Sequence, residues 1–334
     1  MQVLLPMGGR GTRVRPHTHV RPKPLMSIAG KPILQHMMDD LMALAPSEFI
    51  FITTPGPHGE QVRAFVQATY PELPARYLVQ EQALGQAHAV ALAEPFVREQ
   101  LFIMFSDTLF EADLATLKQP PGDGAVVTHH VDDPSRFGVV VTEHGRIVRF
   151  VEKPREPVSY DAIIGVYVIN HPDKLFRAVR ALLAQGAPRN GEYFLADALQ
   201  LLVNEGGHLV AVPASVWQDT GTIEAILGSA GPPFRALHYL LERHAAVHGT
   251  CERSVIVPPV YLGPGATVTE SVIGPYVSVE AGASIHRSVV RQSIIGHHTH
   301  VQDTQLENCL IGEAAQVRGR PSTLNISDHS SVST

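Results

Sequence analysis

A chain of 334 residues with a formal net charge of −6 is long enough for two domains and lacks the basic balance of a nucleic-acid-binding surface. No apolar stretch reaches the roughly 18 residues of a membrane span, and the N-terminus shows neither the basic region nor the apolar core of a secretory signal. Two cysteines, Cys251 and Cys309, lack CxxC spacing and fit packing residues in a reducing compartment. The expectation is a cytoplasmic protein without a membrane or nucleic-acid partner.

Residues 1–5 are apolar apart from Gln2 and read as a short buried strand. Gly8 and Gly9 follow after Pro6-Met7, then Gly11, Thr12 and Arg13, and further on Lys23 between Pro22 and Pro24. Strand, glycine turn, then cations is the order in which an α/β domain builds a polyphosphate site. Glycine lets amide N–H groups approach phosphate oxygens with no Cβ between them. A Walker loop is excluded because no Lys-Ser or Lys-Thr follows the glycines. A dinucleotide fingerprint fails as well, because Val14 stands where its last glycine belongs.

Beyond this loop, short apolar runs at 49–52, 101–105 and 163–169 alternate with helix-like spacing at 33–44, 59–68, 84–93 and 173–185. That alternation predicts a Rossmann-like α/β domain with a mostly parallel sheet covered on both faces. Its ligands should sit beyond the carboxyl ends of the strands. Composition breaks at 228–233, and 234–248 reads as one connecting helix. From Ile256 onward aliphatics recur every five or six residues, through Leu262, Val268, Ile273, Val279, Ile285, Val290, Ile295, Val301, Leu306 and Ile311 to Val317. One inward aliphatic per repeat of about six residues is the signature of a β-helix, here of about four coils. A β-sandwich would need period two and hairpin turns, which are missing. The expected division is a domain over 1–230, a connecting helix over 231–250, a β-helix over 251–320 and a tail over 321–334.

Several residues in the first part have the chemistry of a phosphate-transfer site. Asp107 follows a strand in Phe105-Ser106-Asp107-Thr108, and Asp219 lies in Trp217-Gln218-Asp219-Thr220-Gly221. Either alone reads as a turn or helix cap. Gln80 and Gly85 lie in a segment joining a strand to a helix. Gly138 precedes the strand that ends at Glu152-Lys153-Pro154, and Gly191-Glu192 is followed by Asp197.

In order and spacing these motifs resemble the sugar-1-phosphate nucleotidyltransferases, the nucleotide-sugar pyrophosphorylases. The C-terminal repeats resemble a left-handed hexapeptide β-helix, so the likeness covers essentially the whole chain. It implies transfer of a nucleotidyl group from a nucleoside triphosphate to a sugar 1-phosphate with Mg²⁺, in a homo-oligomer. Arg13, Lys23 and Asp107 are then the catalytic residues. Gly8, Gly9, Gly11, Thr12, Gln80 and Gly85 are implied to bind the nucleotide, with the Gln80 amide on the pyrimidine edge. Gly138, Glu152, Lys153 and Glu192 are implied to hold the sugar phosphate, and Asp107 and Asp219 the metal. Arg15 and Arg21 lie near without an assigned role.

Within the family the cues divide. The Trp217-to-Gly221 element and the β-helix look like the long glucose-1-phosphate thymidylyltransferases. Pro22-Lys23-Pro24 is commoner among relatives that use other nucleotides, and Pro6-Met7, Ser106 and Thr108 depart from the usual pattern. The main expectation is glucose-1-phosphate thymidylyl transfer. Uridylyl or guanylyl transfer to another hexose 1-phosphate stays open. A silent regulatory subunit should have lost one of Arg13, Lys23, Asp107, Lys153 or Asp219, and all five are present. A further acyltransferase activity in the β-helix would need a histidine base, for which His286, His297, His298 and His300 are candidates. About four coils is short for that role.

Overall fold

The structure, a computed structural model, describes every residue except Arg10, Ala187, Arg189, Asn190, 230–232, 320–323 and Thr334. The core of the composition break at 228–233 and the start of the expected tail therefore lie outside the described residues. The chain forms two compact units: Met1–Gly9 with Met37–Trp217, and Arg10–His36 with Gln218–Thr334.

The first unit is built on a ten-stranded sheet. Eight strands lie in the order 75–79, 48–53, 2–6, 101–104, 161–169, 124–130, 209–219 and 108–112, with the ribbon 138–143/146–152 attached beside 161–169. The Gln2–Pro6 strand pairs in parallel with Glu48–Thr53 on one side and Leu101–Met104 on the other. These strands are buried on both faces, which explains why they read as unbroken apolar runs such as Phe49-Ile50-Phe51-Ile52. Asp161–Ile169 enters antiparallel to both of its neighbours, so the parallel pattern holds for the first half and the second half is mixed. Helices Pro172–Ala184 and Leu195–Asn204 bury Leu175, Phe176, Val179, Leu195 and Leu199 in one apolar cluster with strand residues such as Ile103 and Val126. The helix expected over 84–93 is shorter, Gln86–Ala91, because Gly85 at φ 101 cannot belong to it. No described helix is long and apolar enough to cross a membrane.

Most of the second unit is a left-handed parallel β-helix. Among the described residues its three faces are stacks of six, six and four short strands. All twelve aliphatics of the six-residue period enter or pack against one interior column, with Leu262, Ile285 and Ile295 almost wholly buried. Stacking is in register, as in Val268↔Ile285, Ile285↔Val301 and Val301↔Val317. Several corners are non-glycine residues in the left-handed region, among them Arg253, Glu270, Arg287 and Asp303. These four form charge pairs up one edge, Arg253 with Glu270 at 3.0 Å and Arg287 with Asp303 at 2.6 Å.

The helix is longer than its aliphatic period indicates. Ala246–Val247 and Thr250–Glu252 already pair as a first coil, where Val247 stands opposite Leu262 and Cys251 replaces the larger aliphatic opposite Val268. At the far end Asn325–Ile326 and Ser331–Ser333 pair with preceding strands, so this part of the expected tail completes the coil. The connecting helix is Ala236–His244, shorter than 234–248 for the same reason: its last residues join the first coil.

Candidate active site

In the first unit the glycine loop leaves the carboxyl end of Gln2–Pro6, between two parallel neighbours, where α/β sheets place ligands. Gly8 is partly buried and Gly9 exposed; a Cβ on Gly9 would meet nothing within 4 Å. A Cβ on Gly8, by contrast, would run into the Gln80 side-chain oxygen. Gln80 is buried immediately after the strand Ala75–Val79, and its amide nitrogen donates to the Gly85 carbonyl at 3.1 Å. A carbonyl can only accept, so this bond fixes which end of the amide is nitrogen. The same nitrogen lies 3.1 Å from His88 Nδ1. Burial lowers the His88 pKa, which keeps its ring neutral and Nδ1 able to accept. Both amide hydrogens are thereby engaged, and the oxygen is turned to the Gly8 side.

Gly85 is required where it stands. Its φ is 101, and a Cβ there would sit 2.7 Å from the backbone of Tyr193 and 3.1 Å from the Glu192 side chain. Tyr193 N–H donates to the Leu84 carbonyl at 2.8 Å, and Ala87 N–H to the Tyr193 carbonyl at 3.0 Å. These bonds bring Glu192, itself exposed, beside the Gln80–Gly85 segment.

Gly138 opens the strand Gly138–Glu143, paired with Glu152 across the ribbon. A Cβ on Gly138 would lie 2.8 Å from a Glu152 carboxylate oxygen. Lys153 N–H donates to the Phe137 carbonyl at 3.0 Å, and the Lys153 ammonium is 3.9 Å from the Glu152 carboxylate. Lys153 has φ 47, a strained conformation for a side chain of this length. Asp107 is partly buried in the loop between Leu101–Met104 and Thr108–Ala112. Thr108 closes that loop by donating its hydroxyl to the Ile164 carbonyl at 2.6 Å.

In the second unit Gly11 takes φ 58 and starts the short 3-10 turn Thr12–Val14. Its carbonyl accepts from the Thr18 hydroxyl at 2.8 Å and from Val14 N–H at 3.0 Å. Thr12 and Arg13 are exposed on this turn. Arg13 reaches Gly221, where a Cβ would lie 3.0 Å from its guanidinium and 2.7 Å from Asp219 Oδ1. Asp219 Oδ1 itself accepts the Gly221 N–H at 2.7 Å. Lys23 begins another 3-10 turn, Lys23–Leu25, entered through extended Pro22.

Nine of the predicted residues gather in three places: Gly8, Gln80, Gly85 and Glu192; Gly138, Glu152 and Lys153; and Arg13 with Asp219; Gly9, Gly11, Thr12, Lys23 and Asp107 join none of these groups. His88 carries no motif of its own, although it lies three residues after Gly85 in the same segment. Among the described residues no group of three or more His, Cys, Asp or Glu side chains forms a metal nest. Asp107 and Asp219 are hard oxygen donors, the ligand type that suits Mg²⁺ when substrate oxygens and water complete its shell.

The model of the nucleotidyl transferase family matches residues 2–230. A glucose-1-phosphate thymidylyltransferase of Streptomyces antibioticus is 30% identical across 95% of this chain and 93% of its own length. A UTP–glucose-1-phosphate uridylyltransferase of Haloferax volcanii is 32% identical across 65% of this chain and 90% of its own. A Bacillus anthracis structure assigned as a glucose-1-phosphate thymidylyltransferase, in complex with a sucrose, is 28% identical. It superposes with a TM-score of 0.58 over 66% of this chain and 90% of that one.

Proposed function

This chain belongs to the nucleotidyl transferase family, and we propose that it transfers a thymidylyl group from dTTP to glucose 1-phosphate. The observation that carries the choice of base is the fixed orientation of Gln80. With its nitrogen held by Gly85 and His88, the amide offers an acceptor, and an acceptor selects a base edge with an N–H. Thymine, uracil and guanine have one in the ring; cytosine and adenine present a bare ring nitrogen there and donate only from an exocyclic amino group. Relatives named for thymidylyl and uridylyl transfer agree with that class, and the thymidylyl relative matches across nearly the whole chain.

An oxygen of the sugar phosphate attacks the α-phosphorus, forming a new P–O bond. The bond from the α-phosphorus to the bridging oxygen breaks, and pyrophosphate departs with the electron pair. The attacking phosphate is largely ionised near neutral pH, so positioning and charge neutralisation dominate over base catalysis. Arg13 and Lys23 neutralise the triphosphate, Arg as a planar two-pronged donor and Lys as a point charge. Gly8, Gly9, Gly11 and Thr12 present the loop backbone to it. Lys153 binds the sugar phosphate. Glu152 and Glu192 accept from sugar hydroxyls, and Gly138 leaves room for the sugar against Glu152. Asp107 and Asp219 would hold Mg²⁺, which when bound offsets charge developing on the phosphate oxygens.

The test is pyrophosphate release with Mg²⁺ across the nucleoside triphosphates and a panel of sugar 1-phosphates. Release with dTTP and glucose 1-phosphate, reduced at least about a hundredfold by Asp107→Asn and by Asp219→Asn, is expected. Preference for ATP or CTP would overturn the reading of Gln80. Full activity of either Asn variant would remove that residue from the metal site.

A further inference from the structure

The segment that carries Arg13 and Lys23 clusters with the β-helix. Lys23 is continuous with a small hairpin: Met26 N–H donates to the Lys23 carbonyl at 3.0 Å, and Ile33 N–H to the Met26 carbonyl at 3.0 Å. The hairpin pairs Ser27–Ile28 with Lys31–Pro32 and turns through Ala29 at φ 52 and Gly30 at φ 82. A Cβ on Gly30 would collide with the Tyr261 ring, so the turn lies flat on a coil of the β-helix.

Two β-helix side chains meet the N–H groups of this turn. Ala29 N–H donates to the Ser278 hydroxyl oxygen at 2.8 Å, and Gly30 N–H to Glu280 Oε1 at 3.4 Å. The Ser278 hydroxyl in turn donates to Glu280 Oε1 at 2.7 Å. Ser278 and Glu280 are both fully buried, at 0% exposure. Glu280 Oε2 has no hydrogen-bond partner and stands 3.8 Å from His297 Nε2. It lines a cavity with His17, Arg21, His297, Glu313 and Asp328. The rest of the segment is tied down similarly: Arg21 pairs with Glu313, His297 contacts the Ser27 hydroxyl at 3.2 Å, and Ser327 donates to the Pro16 carbonyl at 3.3 Å.

A buried, half-satisfied carboxyl does nothing for a β-helix whose interior is a column of aliphatics, and burial of such a group is costly. One of its two hydrogen bonds leaves the coil for the turn, and the other comes from Ser278, whose hydroxyl oxygen itself accepts from the turn. We propose that Glu280 is a positioning residue for nucleotidyl transfer: with Ser278 it fixes the Ala29–Gly30 turn, making the β-helix the platform of the triphosphate-binding segment. The inference rests on the proposed role of Arg13 and Lys23 at the triphosphate.

The experiment compares full-length wild type with Ser278→Ala, Glu280→Ala and Glu280→Gln, with Arg287→Ala as a control on the exposed edge of the β-helix. Ser278→Ala and Glu280→Ala should raise the KM for the nucleoside triphosphate about tenfold and leave the KM for the sugar phosphate within about twofold. Both should also speed amide exchange over residues 22–34. Glu280→Gln keeps an acceptor oxygen and should restore both measurements to near wild type, and Arg287→Ala should match wild type throughout. Unchanged triphosphate KM and exchange in Ser278→Ala and Glu280→Ala would overturn the proposal. So would equal loss for both substrates alongside lowered thermal stability, or failure of Glu280→Gln to rescue. If wild type releases no pyrophosphate from any pair, the functional reading fails, and the exchange comparison alone decides whether Glu280 holds the segment.

Discussion

Gly8 lies directly under the side-chain amide of Gln80, and no β-carbon fits between them. The clash partner is the far end of a flexible side chain, so an alanine at position 8 would be accommodated by moving Gln80, with little strain on the sheet. Moving Gln80 breaks its bonds to Gly85 and His88 and turns its oxygen away from the nucleotide side. Gly8→Ala should therefore lower stability by less than about 1 kcal/mol while raising the KM for the preferred triphosphate about tenfold. Thermal denaturation and initial rates measured on one preparation separate the two effects. A large loss of thermal stability with unchanged KM would show that the glycine serves folding alone.

His88 acts on the same amide from the other side. Its neutral Nδ1 accepts a Gln80 N–H, and protonation would replace that acceptor with a donor. Burial lowers the His88 pKa, so the acceptor is present through neutral pH and disappears only on acidification below its ordinary value of 6.5. For a depressed histidine the linked stability is complete above 6.5 and declines as pH falls through the folded-state pKa, because the unfolded chain then binds the extra proton. Discrimination of dTTP over CTP should fall on the same acid limb. In His88→Ala it should be about tenfold lower and lose its pH dependence. His88→Asn, whose carbonyl can accept, should recover part of it. Discrimination unchanged in His88→Ala would confine His88 to packing.

Lys153 poses a different test, since function and backbone comfort conflict there. A lysine at φ 47 costs on the order of 1 kcal/mol that glycine would not incur, partly offset by the extra freedom of glycine in the unfolded chain. Lys153→Gly should leave stability unchanged or raise it by up to about 1 kcal/mol. It should also raise the KM for the sugar phosphate by about a hundredfold through loss of the ammonium. Lys153→Arg keeps the charge and the strain, so it should retain more activity than the glycine variant without any gain in stability. A glycine variant with wild-type kinetics would sever Lys153 from the sugar phosphate.

How much of this was legible beforehand follows the range of the interactions. The β-helix column was readable because one aliphatic per six residues has no competing explanation, and every such position is in or against the core. Its first and last coils were hidden because the spacing breaks: Val247 stands opposite Leu262 but nine residues before Ile256, Cys251 replaces the aliphatic opposite Val268, and Ile326 follows Val317 only after nine residues. The mixed half of the sheet escaped because the apolar run at 163–169 looks the same whichever way its neighbours point. Gln80 and Gly85 stood out by motif. His88 did not, since a lone histidine on a short helix has no pattern. The Ser278–Glu280 contacts with the Ala29–Gly30 turn span some 250 residues of sequence, and no local period encodes them.

Glu280 should also leave a mark on the pH dependence of stability. Desolvation pushes its pKa up from 4.5 to about 7, against the opposing pull of the Ser278 and Gly30 hydrogen bonds. Between those values the folded chain keeps a proton that the unfolded chain has released. Stability from this site is therefore full in acid and declines as pH rises toward 7, by up to about 3 kcal/mol. His297, which faces Glu280, is depressed by its own burial and contributes the opposite slope, losing stability as pH falls below 6.5. Comparing Glu280→Gln with wild type largely cancels the histidine. The amide resembles the protonated acid, so the two proteins should melt together near pH 4.5, and the variant should become progressively more stable than wild type up to about pH 7. A difference independent of pH would mean that Glu280 titrates at its ordinary value, and that the buried carboxyl is better solvated than its burial implies.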